Sequence, residues 1–526
     1  MLRGRAWSIV FAVACLLSSC GQADRIKDDT IVVSVRSNVG PFDPAVFSSA
    51  EQVQILHPVY QNLVSIAQDT DTGADVFQPE LAVSWRSSDD KLSWTFELSE
   101  DQRFDDGAPV DAAAVVFTIE RLLAIGRAPS SGLGGILEGV EAVDDWTVVF
   151  RLREPVPSLL PYVSDSATFI VNPRILEHEI DGDLATEWLN VHTAGSGPYR
   201  LSRFTPRETY VLDANPYAPA PPVSVKRIIF RVASDPAIRA LLLRKGDLDM
   251  AYFLPAEVLA DFQSSDRFVA QHVPTKALNY LAFNMQTETF ADVRLRRAIA
   301  LAIDYEAIVR DVKYGLADPY NGPLLPGMPG YTSADYPYEY DPSEAARLVR
   351  EIASEQPIPR LQMIYPGVSA GADTMAVFVQ SSLAEIGLEV ELQRLTVPAL
   401  INRIDRGNFD FMFMGWVSVF GDPSNIVNYW FDPERIGAAG NYARYDNPRV
   451  AELVRASLTE TDAAARARQL SEIVALTNQD LPYVYLVKNA VWPVYSTRLE
   501  GIELHEYNVF DPPFSQLQLT VQETGN

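Results

Sequence analysis

Residues 79–98 run from Pro79-Glu80-Leu81-Ala82-Val83-Ser84-Trp85 to Leu92-Ser93-Trp94-Thr95-Phe96-Glu97-Leu98, and the second of these stretches alternates strictly. Alternation puts Leu92, Trp94, Phe96 and Leu98 on one face of a strand. Thr147-Val148-Val149-Phe150-Arg151-Leu152 reads as a further strand, and Ile31-Val32-Val33-Ser34-Val35 as a buried one. Helical signals fall between them. Asp235-Pro236 offers an N-cap and a proline at the first helical position, and Gly246 ends that segment after Lys245. Asp341-Pro342-Ser343-Glu344 repeats the signal with a capping-box glutamate. From Asp292 to Val309 a single helix is expected, with Leu295, Ala298, Ile299, Ala302 and Ile303 on one face. A helix from Asp373 to Ile386 stops at Gly387, and Leu388–Leu392 resumes as a strand. Strands and helices alternating over much of the chain predict an α/β architecture. Pro319 to Pro342 carries six prolines interleaved with tyrosines, an irregular connection whose rings are expected to pack.

Bulk properties narrow the function classes. With 526 residues the chain exceeds one core, and two to four domains are expected. A formal charge of −26 opposes binding to nucleic acid or anionic lipid headgroups. The two cysteines, Cys15 and Cys20, both lie in the first twenty residues. Beyond Cys20 the sequence therefore has no disulfide, no cysteine nucleophile and no Cys-based metal site.

The N-terminus has Arg3 and Arg5, an apolar run from Trp7 to Leu17, and then Ser18-Ser19-Cys20-Gly21. The run is too short to span a bilayer of about 30 Å. Small residues ahead of a cysteine make this segment resemble a bacterial lipoprotein signal. The resemblance implies removal of residues 1–19, acylation of Cys20, and a tether over 20–29 that is polar from Asp24 to Asp29. The mature chain would have 507 residues and a charge of −28. It would be exported and lipid-anchored, at the periplasmic face of a bacterial membrane or at the outer surface of a single-membrane cell.

Catalytic signals are absent. His57, His178, His192, His272 and His505 show no metal-ligand spacing, and there is no H-E-x-x-H. Gly195-Ser196-Gly197 lacks the spacing of a nucleophile elbow, and no phosphate loop occurs. We expect no catalytic residue, no metal site and no cofactor.

Several motifs, in order along nearly the whole chain, resemble the family 5 extracellular solute-binding proteins of ABC transporters, of the dipeptide- and oligopeptide-binding type. They are Pro79–Trp85, continuing through Trp94–Leu98 to Arg103-Phe104-Asp105-Asp106-Gly107 and Asp111-Ala112; Gly195-Ser196-Gly197-Pro198-Tyr199 with Asn215-Pro216-Tyr217; Leu281-Ala282-Phe283-Asn284 with Asp292–Ala298 and Ala302-Ile303-Asp304; Phe409-Asp410 to Gly415-Trp416 and Gly421-Asp422-Pro423; Asn441-Tyr442 with Asn447-Pro448; and Leu481-Pro482-Tyr483. Ala114 departs from the family's usual Asp. The resemblance implies a two-lobed periplasmic-binding-protein-like fold (class II, cluster C) with an inserted domain and a central ligand cleft. Its expected domains are I (30–60, 193–279 and 488–526), II (61–192, the insertion) and III (280–487).

Phe411–Trp416 is a near-continuous apolar strand whose end should emerge at that cleft. By resemblance, Asn38, Val39 and Gly40 and the strand end Gly415, Trp416, Val417, Ser418, Val419 and Phe420 meet the ligand, largely by main-chain pairing. Peptide-binding relatives commonly carry an Asp three residues after this tryptophan, where it pairs with the peptide's ammonium group. This chain has Val419. Asp422 is a candidate substitute, and Tyr429, with Trp416, Phe420 and Trp430, a candidate aromatic contact; Tyr429 and Trp430 read equally well as core. The implied function is a monomeric, non-enzymatic receptor that hands a small solute, with peptide the leading class, to ABC permease subunits. Alternatives are an oligosaccharide, a metal chelate or an opine-like solute, a sensory receptor without transport, and, last, an exported hydrolase.

Overall fold

The structure is a computed structural model describing residues 29–47, 49–69, 74–127, 131–219, 221–320, 322–332, 336, 338–367, 370–417, 422–437, 440–506, 508–510 and 512–520. Cys20, with the expected signal and most of the tether, lies outside the described residues, as do Ser418, Val419, Phe420 and Gly421.

Strand β1 (Thr30–Val35) is buried at every position. β2 (Val64–Gln68) and β3 (Asp75–Pro79) form an antiparallel hairpin. β4 (Ala82–Ser87), β5 (Ser93–Leu98), β6 (Leu137–Asp144) and β7 (Thr147–Leu152) form a four-stranded sheet in the order β4-β5-β7-β6. β8 (Tyr199–Thr205), β9 (Thr209–Ala214), β10 (Arg227–Val232), β11 (Met250–Ala251) and β12 (Phe268–Ala270) return the chain to β1. β13 (Val273–Phe283), β14 (Ala317–Pro319), β15 (Leu361–Pro366), β16 (Val390–Leu395), β17 (Phe411–Val417) and β18 (Tyr483–Val491) build a six-stranded sheet in the order β14-β18-β13-β17-β15-β16. β19 (Val494–Ser496) rejoins the first sheet, whose order is β12-β19-β11-β1-β10-β9-β8.

The result is two lobes of α/β structure. One holds the seven-stranded sheet, with β1 central and parallel to both β10 and β11, which is why its apolar run is unbroken. The four-stranded sheet is an insertion with its own core around Phe96, Phe104 and Phe150. The other lobe has the largest core, packed on the six-stranded sheet. The chain passes between the seven- and six-stranded sheets twice, at β12–β13 and at β18–β19. The two crossings lie together: the His272 ring packs edge-on against Trp492 with centroids 5.2 Å apart. The expected boundaries at 279/280 and 487/488 fall inside β13 and β18, a few residues beyond these crossings.

Most local readings match the elements. Trp94, Phe96 and Leu98 are buried together, although Leu92 precedes the strand. Asp235 caps Pro236–Lys245, and Gly246 ends that helix at φ +79°. Three details differ. The stretch 292–309 is two pieces: Val293–Ala302 ends at an extended Ile303, and Asp304 caps a second start by accepting from the Ala307 amide. A mid-stretch aspartate bonds its own backbone better at a cap than inside a helix. Glu344 completes no capping box; Asp341 does the capping while Glu344 pairs with Arg347. After Gly387 (φ +88°), the Leu388 amide folds back onto the Leu383 carbonyl, so the strand begins at Val390. In the proline-rich connection Tyr320, Tyr336 and Tyr338 are buried, while Tyr331 and Tyr340 are exposed.

Candidate functional site

β17 is buried through Phe413 and then opens: Gly415 and Val417 are exposed, and Trp416 is half-buried. The register sets Trp416 beside Leu278 of β13, which in turn lies beside Lys488 of β18. Trp416 packs on Tyr429 (5.2 Å) and on Trp430 (6.2 Å). Trp430 is fully buried and belongs to the core, whereas Tyr429 is half-buried and carries the Arg435 guanidinium 4.8 Å over its ring. The Trp416 indole N–H is buried without an acceptor, a donor that a bound molecule would satisfy.

A second group of candidate residues follows β1. Arg36 lies 3.9 Å over Phe253, which also stacks on Phe510 at 5.5 Å. Phe253 sits at φ +53° and is held there by buried Arg239, which donates to the carbonyls of Phe253, Tyr252, Ala233 and Ser234 at 2.6–3.0 Å. Nearby, Ser34 Oγ and Gln54 Nε2 are buried without partners beside a void of about 10 Å³, room for a single water. In the segment expected to meet ligand, the Asn38 side-chain oxygen Oδ1 accepts from the Arg207 amide (2.9 Å) and the Tyr210 hydroxyl (3.1 Å). Val39 is buried in the core and its N–H donates to Tyr210 Oη at 2.5 Å, while Gly40 is exposed. Among the described residues no hydrogen bond joins 38–40 to 415–417.

On β13 and β18 and around them lies a cluster of charges that the sequence reading missed. The Lys488 ammonium pairs with Glu506 at 2.9 Å, both side chains at most one-tenth exposed. Gln68, at the tip of the β2–β3 hairpin, donates to the other Glu506 oxygen at 3.3 Å. Its strand partner is Asp75. Asp75 and the buried Lys276 of β13 lie within electrostatic reach of each other and of Glu506. Burial raises the Asp75 pKa and lowers that of Lys276, and each partner's charge opposes the other's shift. Burial also lowers the pKa of His505 beside them. The chain has seven lysines, and two interrupt apolar strands here, in Val273-Pro274-Thr275-Lys276-Ala277 and Leu486-Val487-Lys488-Asn489-Ala490. A cation inside an apolar strand was the legible signal.

Asp422 is committed elsewhere. Both its oxygens receive the Arg466 guanidinium at 2.7 and 2.8 Å, and it also accepts from the Ser424 amide. The pair is largely buried, and Arg466 holds the Asp422 pKa down. Tyr162 of the inserted domain hydrogen-bonds with Ser424 beside it. The insertion thus meets the far lobe at Tyr162 and Ser424, and the hairpin meets the Lys488–Glu506 pair through Gln68. Among the described residues no acidic, histidine or cysteine cluster could hold a metal, and no helix is long and apolar enough to cross a membrane.

Comparison with known proteins completes this picture. Residues 76–438 match the model of the bacterial extracellular solute-binding proteins, family 5. The chain is 30% identical over 492 residues to the probable D,D-dipeptide-binding periplasmic protein DdpA of Escherichia coli (strain K12), covering 94% of this chain and 93% of that one. It is 25% identical to di/tripeptide-binding protein 2 of Pseudomonas aeruginosa (strain UCBPP-PA14), covering 97% and 98%. Among solved structures, HbpA2 from Haemophilus parasuis superposes with a TM-score of 0.81 at 23% identity, covering 94% of this chain and all of that one. The periplasmic binding protein DppA from Helicobacter pylori in complex with peptide STSA gives 0.76 at 22%, covering 93% and 98%. The chain belongs to the family 5 bacterial extracellular solute-binding proteins.

Proposed function

We propose that this protein is the lipid-anchored, monomeric receptor of an ABC importer, that it captures a short peptide between its lobes, and that it delivers the peptide to permease subunits. In this reading domain I comprises 30–60, 193–279 and 488–526, domain II 61–192, and domain III 280–487; Cys20 carries the lipid. The observation that carries the reading is the end of β17, where Gly415 and Val417 are exposed and the buried Trp416 indole N–H lacks an acceptor. An extended peptide can add to such a strand end through backbone hydrogen bonds. Peptide-binding names among its relatives support the solute class. Solved structures of this fold also hold agropinic acid and Fe(III)-EDTA, so the solute must be tested against other classes. Native mass spectrometry of protein purified from its own membrane fraction should reveal an acylated Cys20 and a co-purified di- or tripeptide. A metal chelate or opine-like molecule in its place would overturn the peptide assignment, and an unmodified N-terminal cysteine would overturn the anchor.

A further inference from the structure

A second cavity lies in the far lobe, where the proline-rich connection meets the helix start at Asp304, and none of its lining residues belongs to the site described above. Its volume of about 360 Å³ falls in the range of small-molecule sites. Five tyrosines line it. Three of them have already committed their hydroxyls to main-chain carbonyls: Tyr305 donates to Ala300 at 2.9 Å, Tyr338 to Asn478 at 3.0 Å, and Tyr320 to Leu324. The Tyr336 hydroxyl is buried beside that of Tyr305, and its ring packs edge-on against Tyr338 with centroids 5.2 Å apart. Tyr340 completes the set. What these side chains leave to the cavity is ring surface more than hydrogen-bonding capacity.

The charges around the rings are of one sign. Asp304, Glu306 and Glu339 line the cavity, and among the described residues no lysine, arginine or histidine does. Arg310, within electrostatic reach of Asp304 and Glu306, is already held by Asp311 at 2.6 and 2.9 Å. Arg297 and Arg347 line a different groove that shares only Tyr338 with this cavity, and Arg347 is paired there with Glu344 and Glu351. Burial raises the Tyr340 pKa, and the nearby Glu385 and Asp304 carboxylates add to the shift, so ring and acids share one space. Aromatic faces attract a cation through their quadrupole, and neighbouring carboxylates strengthen that field. A primary ammonium enclosed by rings would leave N–H donors without acceptors. A quaternary ammonium has no such donors and forfeits nothing.

We infer that this cavity is a second binding site, separate from the interlobe cleft, for a small quaternary ammonium compound, held by the tyrosine rings and balanced by Asp304, Glu306 and Glu339. The test is calorimetric titration of the full chain at low salt with choline, with tetramethylammonium, and with 3,3-dimethylbutanol, the neutral isostere of choline. Choline should bind saturably and one-to-one, and the alcohol at least about 10-fold more weakly. Tyr340→Ala should weaken choline by about 5-fold or more, whereas Tyr340→Phe, which keeps the ring, should bind it as the native protein does. The double variant Glu306→Gln, Glu339→Gln should weaken choline by about 5-fold without changing the affinity for the alcohol. Tyr340 is 45% exposed and both glutamates are exposed, so these variants should fold, and a matching thermal unfolding curve checks that before titration. No saturable heat with either cation would overturn the inference. Equal affinity for choline and the alcohol would overturn the cation class, and native choline affinity in Tyr340→Ala or in the double variant would overturn the location.

Discussion

At the scale of single residues, the charges are placed where burial works against them. Asp165 is one that can be isolated. Its carboxylate accepts from the Ala167 amide at 2.8 Å, yet loss of solvation raises its pKa to about 6. An unfolded Asp titrates near 3.9, so the folded form holds the extra proton between about pH 4 and pH 6. The stability this proton contributes is complete below about pH 4 and is lost as the pH rises through about 6. Asp165→Asn keeps a cap oxygen without the titration. Relative to the native protein it should therefore gain stability between pH 4 and pH 7, by about 1–3 kcal/mol, in urea unfolding at each pH. A constant difference across that range would show that Asp165 does not titrate in this way. Residue-level reading of the sequence found the caps but not the cleft. Asp235 and Asp341 cap as their local sequence predicts, because a cap depends on neighbours two or three positions away, and Asp111 and Asn447, read only as parts of motifs, cap in the same way. Lys276, Asp75 and Glu506 are 431 residues apart end to end, and nothing local relates them.

At the scale of elements, the motifs that carry the family resemblance are chiefly joints. Gly195 and Gly197 lie flat on the Pro58–Val59 backbone, where an added Cβ would sit 2.0 and 2.6 Å from main-chain oxygens, and the Gly197 amide donates to Val59. The Asp105 amide reaches the Gly195 carbonyl, and Gly107, at φ +87°, accommodates the ring of Tyr217. Asn215 closes this set by donating to the Gly197 carbonyl. Asn284 donates likewise to Gly407 and Phe409, and Asn447 to Asp480. Ala114, where relatives commonly have Asp, costs nothing at the cap, because its backbone N–H is the donor that Asp111 receives. These contacts explain why the fold was readable while the ligand was not: joints are made by residue types in fixed order, whereas a cleft is made by whatever side chains meet there. The joint between insertion and first lobe is an ion pair. Arg121 of the helix Ala112–Ile125 holds Asp43 at 2.6 and 2.8 Å, with both side chains at most 2% exposed, and also donates to the Leu184 carbonyl. Arg121→Met leaves Asp43 buried and unpaired and should cost about 3–5 kcal/mol in chemical denaturation. A loss below about 1 kcal/mol would mean that the insertion is held by its apolar contacts alone.

At the scale of the whole molecule, two lobes joined by adjacent crossings at β12–β13 and β18–β19 can move as bodies about one short axis, the geometry of hinge closure. The contact that would report closure joins the insertion to the far lobe, Tyr162 with Ser424. The α/β alternation and the strand leading to Trp416 were legible because each rests on short-range periodicity, and the motif order because it resembles that of the family. Tyr429 and Trp430 were not separable by sequence, since adjacent aromatics on a helix differ only in which one the core covers. The central claim is that this cleft takes a short peptide. Isothermal titration of the ligand-stripped native protein with a set of free dipeptides, including those with D-residues, tests it most directly. We predict saturable one-to-one binding of at least one dipeptide at micromolar affinity or tighter, with a negative heat-capacity change from apolar burial in the cleft. No binding by any dipeptide, together with saturable binding of an oligosaccharide, an opine or a metal chelate, would contradict it.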